Sequence, residues 1–199
     1  MLVPGTWRFV VVGLAATVAA WVVWLPLAPV ALAATTGVVL FFRDPDRSPP
    51  ATGVLAPADG SITVVREEDD RVRVGVFMNV TDVHVNRAPL PASVDAVTHH
   101  PGAHRPAFSK DSDRNERVVI DCGDHEITLI AGWFARRIHP YVAAGDALDR
   151  GDRIGHIAFG SRADVLLPAA IDREDLAVER GDTVRAGETL IAPDPDATD

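Results

Sequence analysis

The pair Gly160-Ser161 is the feature of this 199-residue chain that most directly suggests chemistry. It places a serine hydroxyl beside a peptide carbonyl whose residue has no side chain, so the backbone can bend into the strained geometry that attack by the hydroxyl requires. A serine hydroxyl is a poor nucleophile at its own pKa, so the attack also needs a base. Gly-Ser pairs occur in many turns, however, and this pair predicts a reaction only with support from the rest of the sequence.

The other reactive side chains give weaker signals. His99, His100 and His104 lie close together in the sequence, but the cluster lacks cysteine and paired carboxylates, so we predict no metal site. Cys122 is the single cysteine and cannot form an intrachain disulfide. We expect it to be a small buried apolar side chain.

The formal net charge of -9 argues against nucleic acid as a partner, because duplex binding depends on Lys and Arg neutralising phosphates. Lys110 is the single lysine, and Asp outnumbers Glu. This composition favours a high-salt cytoplasm, where acidic surfaces stay solvated and their repulsion is screened. Codon drift in a GC-rich genome is the alternative explanation.

The N-terminal segment is uncharged from Phe9 to Phe42. One helix over these residues, about 34 in number, would be about 50 Å long, against a hydrocarbon core of about 30 Å. Pro26 and Pro29 lie near the middle, where a missing amide donor and a ring clash break a helix. The segment therefore predicts a helical membrane hairpin over residues 1–43, with its turn at residues 25–29.

Basic residues flank this segment, because Arg8 precedes it and Arg43 and Arg47 follow it. The positive-inside tendency places both ends on the cytoplasmic side of the cell membrane, together with the domain that follows. A secretory signal peptide is the alternative, but it would have an apolar core of only about 7 to 15 residues.

Residues 44–51 are polar and rich in proline, which predicts a linker before one domain of residues 52–199. That domain contains short β-type runs and no long helical pattern, so we predict a mainly β fold, with a long surface loop over Thr98 to Asn115. The predicted strands are Ser61 to Arg66, Val72 to Met78, Val118 to Asp121, Glu126 to Ala131, Ile154 to Phe159 and Asp164 to Leu167.

A weak internal repeat refines the fold prediction. The sequence from Val142 to Ile154 recurs from Val178 to Leu190, and each copy has two glycines six residues apart. We expect each glycine pair to supply positive φ at a bend between short strands. The unit resembles the half-motif of lipoyl- and biotinyl-type barrel-sandwich folds, which concerns the fold and not the function.

Five segments that follow one another between Phe41 and Pro168 carry a more specific resemblance. They are Phe41-Phe42-Arg43-Asp44-Pro45, the turn Ala56-Pro57-Ala58-Asp59-Gly60, the histidine-bearing segment Asn79 to Pro89, the stretch Ile130 to Ile138, and the segment Phe159 to Val165 that contains Gly160-Ser161. Together they resemble the short form of the pyruvoyl-dependent phosphatidylserine and archaetidylserine decarboxylase proenzymes.

The resemblance implies that Ser161 Oγ attacks the Gly160 carbonyl, that an N-to-O acyl shift gives an ester, and that elimination and hydrolysis leave a covalent pyruvoyl group. The chain would then comprise a β chain, residues 1–160, and an α chain, residues 161–199, associated as a heterodimer, with a higher oligomer left open. His84 is implied as the base and Asp59 as the residue that orients it. Without the resemblance, Asp59 is a good turn residue and His84 an ordinary strand histidine.

The implied second reaction is decarboxylation of a membrane phospholipid with a serine headgroup. The pyruvoyl carbonyl forms a Schiff base with the substrate amine and accepts electrons as CO2 leaves, which gives an ethanolamine-headgroup lipid. The high-salt composition favours archaetidylserine as the substrate. Arg136 and Arg137 suit the lipid phosphate, although a solvated pair fits as well. Relatives with longer chains carry a second histidine where this chain has Arg87, which leaves open whether one base serves both reactions.

Three other functions fit the sequence less well. A non-enzymatic, membrane-anchored lipoyl-like binding module would need a carrier lysine at a hairpin tip, and Lys110 lies in the polar loop without the expected flanks. A serine hydrolase would need the second glycine of the G-x-S-x-G elbow. A zinc peptidase on His84 and the 99–104 cluster would need an HExxH or similar pattern.

Overall fold

The computed structural model describes residues 1–103, 114–132, 137–158 and 161–194. The chain divides into two compact units, Met1–Asp46 and Arg47–Asp199. The boundary between the units falls inside the predicted linker of residues 44–51. The predicted cleavage between residues 160 and 161 is not tested by this division and stays a prediction.

The first unit is a pair of helices, α1 over Trp7–Val23 and α2 over Leu27–Phe41, as predicted. The turn is tighter than predicted, because Pro29 lies in the first turn of α2. At that position the amide that proline lacks would have no acceptor within the helix, so the ring is tolerated. Neither helix combines the length and the hydropathy that a membrane-crossing helix needs.

The second unit is built from short strands, so the mainly β prediction is confirmed. In chain order they are β1 Val54–Leu55, β2 Gly60–Glu68, β3 Arg71–Met78, β4 Val85–Arg87, β5 Ala92–Ser93, β6 Ala96–His100, β7 Arg117–Asp121, β8 Glu126–Ile130, β9 Ile138–Pro140, β10 Ala147–Leu148, β11 Arg153–Ile157, β12 Ser161–Leu166, β13 Thr183–Val184 and β14 Leu190–Ala192. A 3-10 turn covers Arg173–Asp175.

Seven strands form one antiparallel sheet in the order β13-β2-β3-β12-β8-β7-β6. β12 is the central strand, and both of its faces are buried. Ala163 and Val165 face the apolar core, while Arg162 and Asp164 form a two-point ion pair on the opposite face, with Nε–Oδ1 and Nη2–Oδ2 distances of 2.7 and 2.8 Å. Mutual neutralisation makes burial of these two charges tolerable.

Three smaller sheets complete the unit. β4, β11 and β9 form a three-stranded antiparallel sheet, and β1 pairs with β14 and β10 with β5. The internal repeat is visible as two similar turns, because its four glycines, Gly145, Gly151, Gly181 and Gly187, all have positive φ. The comparison with lipoyl- and biotinyl-type folds stays a prediction.

Two details of the strand prediction were wrong. The predicted strand from Asp164 to Leu167 begins earlier, at Ser161, because the charges of Arg162 and Asp164 neutralise each other and do not end the strand. The predicted surface loop from Thr98 begins later, because β6 extends to His100 and pairs with β7. Residues 104–113 of that loop, including His104 and Lys110, lie outside the described residues.

Replacement of Gly60 by alanine should destabilise the β-rich unit strongly. Gly60 has a φ of +142°, and a Cβ there would lie 2.0 Å from the main-chain oxygen of Phe77. Because the clash is with backbone of the neighbouring strand, we expect a loss of about 2 kcal/mol or more in the free energy of unfolding. Denaturant unfolding would measure it.

Gly145→Ala is the matched control, because Gly145 also has positive φ but a Cβ there would meet nothing within 4 Å. It should cost only about 1 kcal/mol, the conformational part of the effect. Equal losses for the two variants would contradict the proposed clash at Gly60.

Candidate active site

Ser161 is the first residue of β12 and is fully buried. It lies opposite Met78, the last residue of β3. Its hydroxyl oxygen lies 3.5 Å from the main-chain oxygen of Ile157 and 3.8 Å from Met78 Sδ. Both contacts are long, and a thioether is a weak acceptor, so the buried hydroxyl is held loosely.

His84 lies in the segment just before β4 and is only 2% exposed. Its Nδ1 lies 2.9 Å from the main-chain oxygen of Asp82. A carbonyl oxygen can only accept, so this contact makes Nδ1 the protonated nitrogen and Nε2 the basic one. In its neutral form the ring is therefore a base through Nε2.

Ile157 connects His84 to Ser161. Its amide donates to the main-chain oxygen of His84 at 3.3 Å, and its carbonyl is the one that the Ser161 hydroxyl approaches. The small sheet of β4, β11 and β9 thus brings the histidine segment to the start of β12. His84 and Ser161 are 77 positions apart in the sequence and are linked here through the backbone of Ile157.

Asp59 has other partners. Its carboxylate accepts two hydrogen bonds from Arg47 Nη2, at 2.8 and 3.0 Å, and one from the amide of Ala186 at 2.8 Å. Among the described residues these are its hydrogen-bond partners, and His84 is not one of them. The predicted orientation of His84 by Asp59 stays a prediction, and the observed contacts give the carboxylate a clear structural role.

Arg47 is the centre of a nearly buried ion cluster, because its Nη1 also donates to Glu188 at 3.0 Å. Burial works against the charge of Arg47, but attraction by Asp59 and Glu188 outweighs it and raises the pKa of the guanidinium. The hydrogen bond from Arg47 lowers the pKa of Glu188. Through this cluster Arg47, at the start of the β-rich unit, binds Glu188 in the turn before β14, and Asp59 binds both Arg47 and the amide of Ala186.

A second histidine group lies on β11 and β9. The rings of His156 and His139 stack with centroids 4.6 Å apart, and Tyr141 Oη lies 2.8 Å from His156 Nδ1. Burial, followed by the charges of His139 and His84, lowers the pKa of His156 to about 4. His156 is therefore neutral at physiological pH, within the electrostatic reach of His84.

The remaining predicted site residues are only partly described. Gly160 and Arg136 lie outside the described residues. Arg137 is exposed and directly precedes β9. His99 Nε2 lies 2.9 Å from Glu116 Oε1, an ordinary surface pair.

Sequence reasoning missed several residues at this site. By sequence, Arg47 is one of the basic residues that flank the apolar N-terminal segment, and nothing in its neighbourhood indicates a partner as distant as Glu188. Met78 and Asn86 are ordinary strand residues by sequence. The alternation of apolar and polar residues in Val83-His84-Val85-Asn86 is a usable signal, because it predicts that Asn86 lies on the face opposite Val85.

Comparisons with known proteins give a consistent result. The family model described as Phosphatidylserine decarboxylase matches residues 35–192. The chain is 58% identical, over 95% of its length and 97% of the relative's, to a Halobacterium salinarum protein named "Putative archaetidylserine decarboxylase proenzyme". It is 46% identical to the phosphatidylserine decarboxylase proenzyme of Streptomyces griseus, over 86% of this chain and 80% of the relative. The phosphatidylserine decarboxylase proenzyme of Thermobifida fusca is 49% identical, over 83% of this chain and 76% of the relative.

The variants Asp59→Asn and Arg47→Met should each lower the free energy of unfolding by about 3 kcal/mol, because each leaves an uncompensated charge in a nearly buried pair. The side chains of Arg47 and Asp59 are 7% and 13% exposed. Thermal or denaturant unfolding of the purified proteins would measure the loss.

Arg66→Ala is the control, because Arg66 and its partner Glu68 are 44% and 34% exposed. That substitution should cost between about 0 and 1 kcal/mol. A large loss for Asp59→Asn together with no loss for Arg47→Met would contradict the ion cluster and favour the role of Asp59 in orienting His84.

Proposed function

The chain belongs to the phosphatidylserine decarboxylase family, and on that premise we propose that it converts archaetidylserine to the corresponding ethanolamine-headgroup lipid and CO2. It is a self-processing carboxy-lyase of phospholipid synthesis, in line with the proenzyme names of its relatives. The observation that carries the proposal is the buried Ser161 at the head of the central strand, which the backbone of Ile157 links to the main chain of His84.

The choice of an ether-linked archaetidyl substrate is supported by two observations. The acidic composition with a single lysine suits a high-salt cytoplasm. The 58% identity to a halobacterial protein named for archaetidylserine exceeds the 46% identity to the Streptomyces griseus protein named for phosphatidylserine.

The site fits a pyruvoyl group derived from Ser161. The serine is fully buried, and among the described residues its hydroxyl has only long contacts, to Met78 Sδ and to the main-chain oxygen of Ile157. A pyruvoyl group there would supply a ketone that holds the substrate amine as a Schiff base and accepts electrons when CO2 leaves. The buried surroundings exclude water, which protects such a reactive carbonyl.

His84 is the proposed base for self-cleavage. Its Nδ1 proton is fixed on the Asp82 carbonyl, so Nε2 is the nitrogen able to take the proton of the Ser161 hydroxyl. The main-chain oxygen of His84 accepts a hydrogen bond from the Ile157 amide, and the Ile157 carbonyl contacts the Ser161 hydroxyl, which supports the pairing of this base with this serine. Because the ring is buried, a proton that it takes from the hydroxyl creates an unfavourable charge there, and this proton passes on to the peptide nitrogen as that nitrogen leaves.

After cleavage, a β chain of residues 1–160 and an α chain of residues 161–199 would stay associated. β12 of the α chain is hydrogen-bonded between β3 and β8, β13 pairs with β2, and β14 pairs with β1. The Arg47–Glu188 ion pair also joins the two chains. These contacts support a heterodimer that does not dissociate on maturation.

We further propose that the helical unit binds the cell membrane, with the β-rich unit on the cytoplasmic side. Many large apolar side chains of α1 and α2 are exposed, including Trp7, Trp21 and Leu32. Contiguous exposed apolar surface of this kind is typical of a membrane interaction site. Arg136 and Arg137 remain the proposed partners of the lipid phosphate.

Ser161→Ala should give a single chain of 21.3 kDa without decarboxylase activity, whereas the unchanged sequence should give two fragments that end and begin at the 160–161 bond. His84→Ala should slow cleavage by about 10²-fold or more, the usual contribution of a general base. Intact mass spectrometry and CO2 release from archaetidylserine and phosphatidylserine in parallel would check both.

The mature fragments should carry a ketone in place of Ser161, visible as a mass change and as capture by a hydrazine. An unbroken chain with an ordinary Ser161 in the unchanged protein would remove the basis of the proposed reaction. Faster turnover of phosphatidylserine than of archaetidylserine would contradict only the choice of lipid.

Substitution of exposed apolar residues on α1 should weaken membrane binding. Val11 and Val18 are 55% and 63% exposed, and the double variant Val11→Glu/Val18→Glu places two charges on that surface. We expect it to lose co-flotation with vesicles of phosphatidylcholine and phosphatidylglycerol, because charge transfer into the interface is unfavourable. Val80→Glu, at a 57% exposed valine of the β-rich unit, should float as the unchanged protein does.

A further inference from the structure

Asn86 is a buried amide with poorly satisfied hydrogen bonds. It is fully buried on β4, and its Nδ2 lies 3.6 Å from Met78 Sδ. Its Oδ1 is buried and has no hydrogen-bond partner among the described residues. Buried polar groups are normally paired, so an exception of this kind needs an explanation.

The stability of the fold does not explain this amide. A thioether sulfur is a weak acceptor, and burial of an amide against one lowers the free energy of unfolding relative to an apolar side chain of the same shape. Leucine has nearly the same shape and would fill the same space on β4. The amide therefore lies where packing alone would favour an apolar residue.

Its position relative to Ser161 points to a role in the reaction. The Ser161 hydroxyl and the Asn86 amide both contact Met78 Sδ, at 3.8 and 3.6 Å. They are thus two under-satisfied polar groups on one sulfur, in a site that water does not reach. A preorganised donor in such a site stabilises developing negative charge far better than in water, because the local dielectric is low.

The guanidinium of the neighbouring residue, Arg87, has a different hydrogen-bond partner. Arg87, the next residue on β4, is buried, and its Nη1 donates to the main-chain oxygen of Gly151 at 2.9 Å. Side chains alternate along a strand, so Arg87 and Asn86 point to opposite faces. On β4, the side chain that donates to Met78 is therefore the amide of Asn86.

We propose that the Asn86 amide is a hydrogen-bond donor for self-cleavage, stabilising the oxygen that becomes negative when Ser161 attacks the preceding carbonyl. This inference rests on the proposed function. In the step, a bond forms between Ser161 Oγ and the carbonyl carbon of residue 160, and the hydroxyl proton passes to the base. The carbon–nitrogen bond then breaks, and the nitrogen of residue 161 regains a proton, so the ester is an isomer of the starting peptide.

The test compares Asn86→Leu with the unchanged chain in cell-free synthesis, with samples quenched over time and the 161–199 fragment quantified by mass. We expect cleavage to be at least tenfold slower in Asn86→Leu. Asn86→Asp, which keeps the shape but replaces the donor with an acceptor, should be slowed as well. Thr63→Val is the matched control, because Thr63 Oγ1 is also buried without a partner in the described part of the chain, on a strand that does not pair with β12.

Thermal unfolding of each variant in a Ser161→Ala background separates this role from a structural one. Asn86→Leu should unfold at the same or a higher temperature than Ser161→Ala alone, although it slows cleavage in the reactive chain. Cleavage at the normal rate in Asn86→Leu or Asn86→Asp would overturn the inference, and so would slow cleavage combined with a much lower unfolding temperature. If the unchanged chain matures normally, these results leave the proposed function standing. An unchanged chain that stays whole overturns both.

Discussion

The site depends on the burial of β12 between β3 and β8. A central strand is hydrogen-bonded on both edges and packed on both faces, so its first residue cannot shift without disturbing the whole sheet. Ser161 is that first residue, so its backbone is held in place and its side chain is fully buried. Fixed position and exclusion of water are what an intramolecular acyl shift requires, because both reacting groups are already in place.

The immediate surroundings of Ser161 are unusual for a protein core. A thioether sulfur contacts the hydroxyl, a buried amide contacts the same sulfur, and none of the described contacts of the hydroxyl is a short hydrogen bond. A fully satisfied serine would be held in its resting state by those bonds. Weak contacts leave the hydroxyl able to move toward the peptide carbonyl. They also lower the free energy of unfolding, and the packing of the surrounding core offsets that loss.

The ion cluster of Arg47, Asp59 and Glu188 has a complementary role. It connects the start of the β-rich unit, an early turn and a late turn, which are far apart in the sequence. Arg150 reinforces the same segment through the main-chain oxygens of Pro50 and Gly53. If the chain is cut before Ser161, the bonds of Glu188 to Arg47 and of Ala186 to Asp59, together with four strand pairings, keep the late segment in place without a covalent link.

The sequence by itself determined the mainly β class, the two N-terminal helices, the positive φ of the repeat glycines, and the family through five ordered motifs. These features follow from local periodicity, proline and glycine chemistry and residue order, which act over short distances. Only the tertiary structure decided the partners of Asp59, the start of the strand at Ser161 and the burial of Asn86 beside Met78. Those depend on long-range pairing, because the side chains that neutralise or contact one another are separated by up to about 140 positions and no local pattern records which of them meet.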